Sequence, residues 1–244
     1  MAGTLTGTNL LTRIRNVLQD TTNVRWTDSE LRDYINDAQR EIVNLRPDSS
    51  STTANVALVA GTKQTLPTAG LRLIKIVRNM SSASGSATGA RAIRIVDNDI
   101  LDTQEPDWHD PTVAGDAAHA SVVKHFVFDE DSPRTYYVYP GVLVTNASAC
   151  FVEIIYSTSP TDLTANSSVL FIDDIYGNAI IDYVLFRAYL KDAEFAGNQQ
   201  RASTHFQLFA TSIGAGGQVQ LNVSPNLDAI GGAGAMPPVQ GLAQ

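Results

Sequence analysis

Hydrophobic positions follow a helical spacing at both ends of the chain and a strand spacing in the middle. Leu10, Ile14, Val17 and Leu18 share one face of a helix starting near Thr8, which Asp20–Asn23 should break. A second helix follows, with Thr27 and Glu30 spaced as a capping box and Asp28 placing negative charge in the first turn. Leu31, Tyr34, Ile35, Ala38 and Ile42 line its apolar face, and Pro47 with the polar run Asp48–Thr53 should stop it. These two helices are expected to form an antiparallel hairpin.

The period then changes. Val56, Leu58 and Val59 lead through Gly61 to Gln64, Thr65 and Leu66, the pattern of a hairpin. Leu71–Met80 reads as a strand in which Leu73, Lys75 and Val77 oppose Ile74, Ile76 and Arg78. Ser81–Gly89 holds only Ser, Ala, Gly and Thr, a surface loop. Ala92–Val96 is a further strand, and Asp97 or Asn98 should cap a short helix through Leu101 that ends before Pro106. Lys124–Phe128, Thr135–Tyr139 and Ala149–Tyr156 complete the strands, each closed by a turn signal such as Asp131-Ser132-Pro133.

From Asp173 the helical period returns. Tyr176, Ile180, Tyr183 and Val184, with Ile181, Leu185, Ala188 and Tyr189, leave this third helix little polar surface. One core cannot satisfy a helix so apolar, so it is either central to its domain or covered by another subunit. Asp182 and Arg187 project from different faces of it, and at least one should be buried and paired. A fourth helix carries Ala202, Phe206, Phe209 and Ile213, and Gly214, Gly216 and Gly217 should end it. Val219, Leu221 and Val223 then alternate as a short strand before Pro225, ahead of a Gly- and Pro-rich terminus.

The class expected is therefore α+β. A four-helix bundle is built from N- and C-terminal helical hairpins (8–46 and 173–213), with an inserted, mainly antiparallel β domain (54–172) and an extended C-terminal arm (214–244). With 244 residues, 43% hydrophobic and 17% charged, the chain can bury a substantial core. Its net charge of −8 argues against gripping nucleic acid through phosphates, which needs clustered Lys and Arg, and would suit a protein that DNA slides past. Cys150 is the only cysteine, so no internal disulfide or thiolate metal cluster forms, and a small buried apolar role is expected. No signal peptide is read at the start, and no stretch reaches the roughly 20 apolar residues that cross a bilayer.

Catalytic chemistry finds no convergent set. There is no Gly-x-Ser-x-Gly elbow, phosphate loop or His-Glu-x-x-His pair, and the glycines near Gly85, Gly214 and Gly231 lack an adjacent Lys. Asp97, Asp99 and Asp102 approach a calcium loop, but Leu101 takes a ligand position and the required glycine is missing. His109, His119 and His125, with Asp110 and Asp116, match no zinc spacing and read as exposed or interface residues. No catalytic, cofactor or metal site is expected. Trp108, in a polar turn, is either a protein-contact anchor or a docked core residue.

Several segments together resemble the podovirus head-to-tail adaptors, the family that includes tail tubular protein A. They are Leu11-Thr12-Arg13-Ile14-Arg15, Trp26-Thr27-Asp28-Ser29-Glu30-Leu31, Ala38-Gln39-Arg40-Glu41-Ile42, Pro106-Asp107-Trp108-His109 and Tyr139-Pro140. The fullest is Ile175-Tyr176-Gly177-Asn178-Ala179 through Asp182-Tyr183-Val184-Leu185-Phe186-Arg187-Ala188-Tyr189 and on to Phe195. The resemblance implies a twelve-subunit ring in the virion, at the head–tail junction, between portal protein and tail nozzle. It implies a channel that genome DNA passes without sequence-specific binding, no membrane partner, and assembly in the host cytoplasm. Trp108, Tyr183, Arg187, Tyr189, Val219, Leu221 and Val223 are the candidate protein contacts. A neck, stopper or tail-completion subunit is the alternative reading, and a glycan-binding or hydrolytic tail enzyme a more distant one.

Overall fold

The computed structural model describes residues 3–112, 114–115, 118–146, 149–192, 194 and 196–223. Among them, five α-helices and eight strands run in the order α1 (Gly7–Leu18), α2 (Asp28–Leu45), β1 (Ser51–Ala57), β2 (Gly61–Thr65), β3 (Gly70–Met80), β4 (Gly89–Ala92), β5 (Arg94–Ile95), α3 (Asn98–Gln104), β6 (His125–Phe128), β7 (Thr135–Val142), β8 (Phe151–Thr158), α4 (Gly177–Lys191) and α5 (Ala196–Val223). The chain divides into two compact units. Among the described residues, one holds Gln39–Asp162 and Leu170–Asp173; the other holds Thr4–Ala38, Leu163–Val169 and the chain from Asp174 to Val223.

The first unit contains two four-stranded sheets, ordered β1-β8-β3-β4 and β2-β7-β6-β5, with β5 and β6 parallel and the other pairs antiparallel. Both sheets close on one core in which Leu73, Ile76, Val152 and Ile154 meet Phe126, Tyr136, Val138 and Val142. Cys150 is buried at its margin, its Sγ donating to Ser121 O at 3.0 Å, and burial pushes its thiol pKa up. The opposite face of the second sheet is also covered. Val127 and Tyr139 pack there with Leu101 of α3 and with Trp108.

Two expectations about strands are corrected here. Segments 56–59 and 64–66 do not form a hairpin, because β1 pairs with β8 and β2 with β7 in the other sheet. The connection is tied by Gln64, whose side chain accepts from Val59 N–H and donates to Val59 O at 2.8 Å each, around Gly61 at φ +94°. Strict alternation along β3 also fails. Leu73, Ile76 and Asn79 oppose Tyr156, Ile154 and Val152, three residues of β3 for every two of β8, with a register shift in each interval. Each extra residue turns the strand by one side chain, so Leu73 and Ile76 share the inward face while Ile74 is turned out.

The second unit is not the expected four-helix bundle. α4 packs against α1 and α5, while the loop Leu163–Val169, which turns between Ala165 and Ser168, lies against α1 and α2. Gly7 N–H donates to Ser168 O at 3.0 Å, and Thr8 N–H to Asn166 O at 2.7 Å. Asn36 meets Leu163 twice, accepting from its N–H at 2.8 Å and donating to its carbonyl at 3.4 Å. Buried backbone groups need partners, and here the helices supply them to a loop. Gly7 permits the approach, since a Cβ there would lie 2.9 Å from Asn166 O.

Helix signals read from the sequence otherwise act locally. Thr6 caps α1, and Thr27 Oγ1 accepts from Glu30 N–H at 3.3 Å, half of the capping box. The other half is missing because the Glu30 carboxylate is engaged by Tyr34 and Lys191. Asp97 caps α3 through Asp99 N–H at 3.0 Å. Asp174 does not cap α4; its carboxylate accepts from the Thr4 hydroxyl and from the N–H groups of Leu5 and Thr4, and these bonds, the hydroxyl's first, hold its pKa down.

The fourth helix does not stop at Gly214. α5 runs through Gly214, Gly216 and Gly217 to Val223, so the expected strand of Val219, Leu221 and Val223 is helical. Glycine weakens a helix by about 1 kcal/mol relative to alanine but does not forbid it. The remainder of the expected arm, 224–244, lies outside the described residues.

Candidate protein interface

α4 is the central helix of its unit. Ala179, Ile180, Tyr183, Val184, Leu185, Ala188 and Tyr189 are all buried, which accounts for its apolar composition. Tyr183 and Phe209 meet edge-on at 5.2 Å between centroids, and Phe186 packs against Phe206 at 5.1 Å. Tyr189 stacks on His205 at 5.7 Å, with the Arg201 guanidinium 5.7 Å from the tyrosine centroid. Tyr183 and Tyr189, two expected contacts, therefore spend their rings mainly inside the unit.

Arg187 reaches Asp37 at 3.8 Å and lies 5.3 Å from the Tyr34 ring centroid. Asp182 pairs with His205 Nδ1 at 2.9 Å. Neither is buried as expected: both pairs are partly solvated and contribute only modestly to stability. Beside them, Lys191 Nζ lies 2.6 Å from Glu30, which also accepts from the Tyr34 hydroxyl at 3.0 Å. Burial opposes the charge on Glu30, but these two bonds outweigh it and lower its pKa. Burial first, then the bond to Glu30, raises the Tyr34 pKa to about 12.

The outward side of α5 differs from the other helix surfaces. α2 carries Asp28, Glu30, Arg32, Asp33, Asp37, Arg40 and Glu41, whereas from Ala202 to Val223 there is no Asp, Glu, Lys or Arg. On this stretch Ala202, Phe209 and Ile213 are buried, but Phe206 and Leu208 are 47% and 49% exposed. Leu190 on α4 is exposed as well. Depletion of charge around exposed aromatic and aliphatic side chains is the compositional mark of an interface core. Sequence periodicity placed Phe206 inside; the missing charge was the signal that could have marked this face.

Trp108 resolves in favour of the core. It is fully buried, donates from Nε1 to Asp102 Oδ1 at 2.9 Å, and lies against His109 at 3.7 Å between centroids. Thr62 Oγ1 holds His109 Nδ1 at 2.7 Å, and burial keeps the His109 pKa below its ordinary value. His119 is likewise buried rather than exposed, packed over Gly141, where a Cβ would lie 2.5 Å from Nε2. Asp97 and Asp102 thus have structural partners, and no group of three metal-ligating side chains occurs among the described residues. No described helix is long and apolar enough to cross a membrane.

The described residues thus form a sheet-rich unit and a helical unit whose last helix lacks Asp, Glu, Lys and Arg from Ala202 onward, and Asp97, Asp102 and His109 are held in structural bonds. The SU10 adaptor protein family model matches residues 5–227, and the chain belongs to that family. It is a structural adaptor protein of bacteriophage and a component of the virion. A search of curated proteins returned no match.

Proposed function

We propose that this adaptor is the head-to-tail subunit that forms a closed ring between portal protein and tail nozzle, leaving a channel for the genome. The observation that carries the reading is that α5 exposes Phe206 and Leu208 within a stretch, Ala202 to Val223, that has no Asp, Glu, Lys or Arg. A heterologous interface closes by rotation into a ring, and such a ring needs two different faces on each subunit. α1 supplies the second: it packs on α4, as α5 does, and exposes Thr12, Asn16 and Val17 with Arg13. Repetition around the ring makes individually weak contacts collectively strong. Twelve copies is the number implied by resemblance to the podovirus adaptors.

The test is assembly on the portal. Phe206→Glu combined with Leu208→Glu should leave the subunit folded, by circular dichroism and melting temperature, yet prevent rings seen by electron microscopy with purified portal. Twelvefold density is expected for the unaltered chain. Another symmetry, or a position below the nozzle, would move the protein to a stopper or tail-completion role, and rings formed by the double variant would remove α5 from the interface.

A further inference from the structure

The β unit has a slot between two open strand edges. β4 joins β3 at Arg78–Met80, and beyond it Ile93 N–H donates to Val77 O at 3.1 Å, after which the chain diverges, so the β3 edge at Ile74–Ile76 has no hydrogen-bonded strand among the described residues. Facing it is β5, the outermost strand of the other sheet. Arg94 N–H donates to Lys124 O at 3.3 Å and Val96 N–H to Phe126 O at 3.0 Å. Because alternate residues of a strand point their backbone groups to opposite sides, Ile95 turns its N–H and C=O away from β6, towards the slot. The cavity has a volume of about 570 Å³. Its floor is Ile76, Ile93 and Phe126, all buried; Ile74 and Ile95 stand at its sides, 44% and 65% exposed.

Charge selects the occupant. Lys75 and Arg94 line the slot, and Arg91, Arg94 and Lys124 together depress the pKa of His125 beside it, after burial. None of these four cations has an ion-pair partner among the described residues, in a chain whose net charge is −8. A second copy presenting the same edge would bring its own cations against them, which disfavours edge-to-edge pairing. An apolar floor and unpaired main-chain groups suit a polypeptide rather than a nucleic-acid backbone.

We propose that this slot binds an extended acidic segment of a partner protein by strand addition. Alternate apolar side chains of the segment enter between Ile74 and Ile95, and its carboxylates meet Lys75 and Arg94. The partner's main chain completes the hydrogen bonding of Ile95, while its side-chain alternation fixes the register. The proposal rests on the β unit alone and is independent of ring formation.

The experiment uses the full chain and a fluorescein-labelled, end-blocked nonapeptide of alternating valine and glutamate. Comparison probes are the valine–lysine peptide and a decamer of thymidylate. The acidic peptide should bind, weaken with salt, and slow amide hydrogen exchange at Ile95 and along Ile74–Ile76. Lys75→Glu with Arg94→Glu should weaken it by about tenfold or more, as removal of complementary charge does, without loss of melting temperature. Ile95→Glu, at a mostly exposed position, should also weaken it. The proposal fails if the acidic peptide does not bind, in which case the cations merely guard open edges. It also fails if protection maps elsewhere, if the charge reversals leave affinity unchanged, or if the lysine peptide or the oligonucleotide binds as well.

Discussion

Trp108 donates through Nε1 to Oδ1 of Asp102 at 2.9 Å, joining the turn after α3 to the helix itself. The indole is covered by Leu101, Val127 and Tyr139, so it organises the second core of the β unit. Trp108→Ala should cost about 3–5 kcal/mol in denaturant unfolding, the range for deleting a fully buried aromatic. Trp108→Phe keeps most of the packing and removes the donor from Asp102, a loss of about 1 kcal/mol. Equal stability of Trp108→Ala and the parent would return the residue to the surface.

Asp182→Ala and Arg187→Ala should each destabilise by less than about 1 kcal/mol, because their pairs with His205 and Asp37 are partly solvated. Chemical denaturation of the two single variants measures this directly. A loss several times larger for either would mean that its partner is left buried and uncompensated.

Gly214→Ala discriminates a continuing helix from one that ends there. A Cβ at Gly214 meets nothing within 4 Å, and α5 passes through the position. Alanine should therefore stabilise by about 0.5–1 kcal/mol through helix propensity and reduced freedom of the unfolded chain. A left-handed cap glycine would give the opposite sign in the same thermal melt.

The β unit should lose stability as pH falls through the histidine range. Burial lowers the pKa of His109 and His125 from the ordinary value of 6.5, so between the folded and unfolded values the unfolded chain binds more protons. The stabilising difference is complete above 6.5 and diminishes below it. Melting temperature at pH 7.5 should exceed that at pH 5.5, and His109→Gln combined with His125→Gln should flatten the difference. A profile unchanged by the double variant would assign the dependence to other groups.

Features legible in the linear chain lie within a turn or two of each signal. The apolar faces of α1 and α2, the cap at Asp97 and the buried role of Cys150 depend on residues near in sequence, so spacing and side-chain type reveal them. The family resemblance was legible for a related reason, since ordered segments survive in a linear reading. Tertiary structure decided the rest. β1 and β2 read as a hairpin, yet each pairs with a strand more than sixty residues away, and no local turn signal encodes that choice. The bulges of β3 are set by β8, whose register leaves Ile74 at an open edge instead of in the core. Nor could local spacing show that Leu163–Val169 would lie against α1 and α2, or that Trp108 would be enclosed. Periodicity reports which side chains must avoid water; only the assembled neighbours determine which surface covers them.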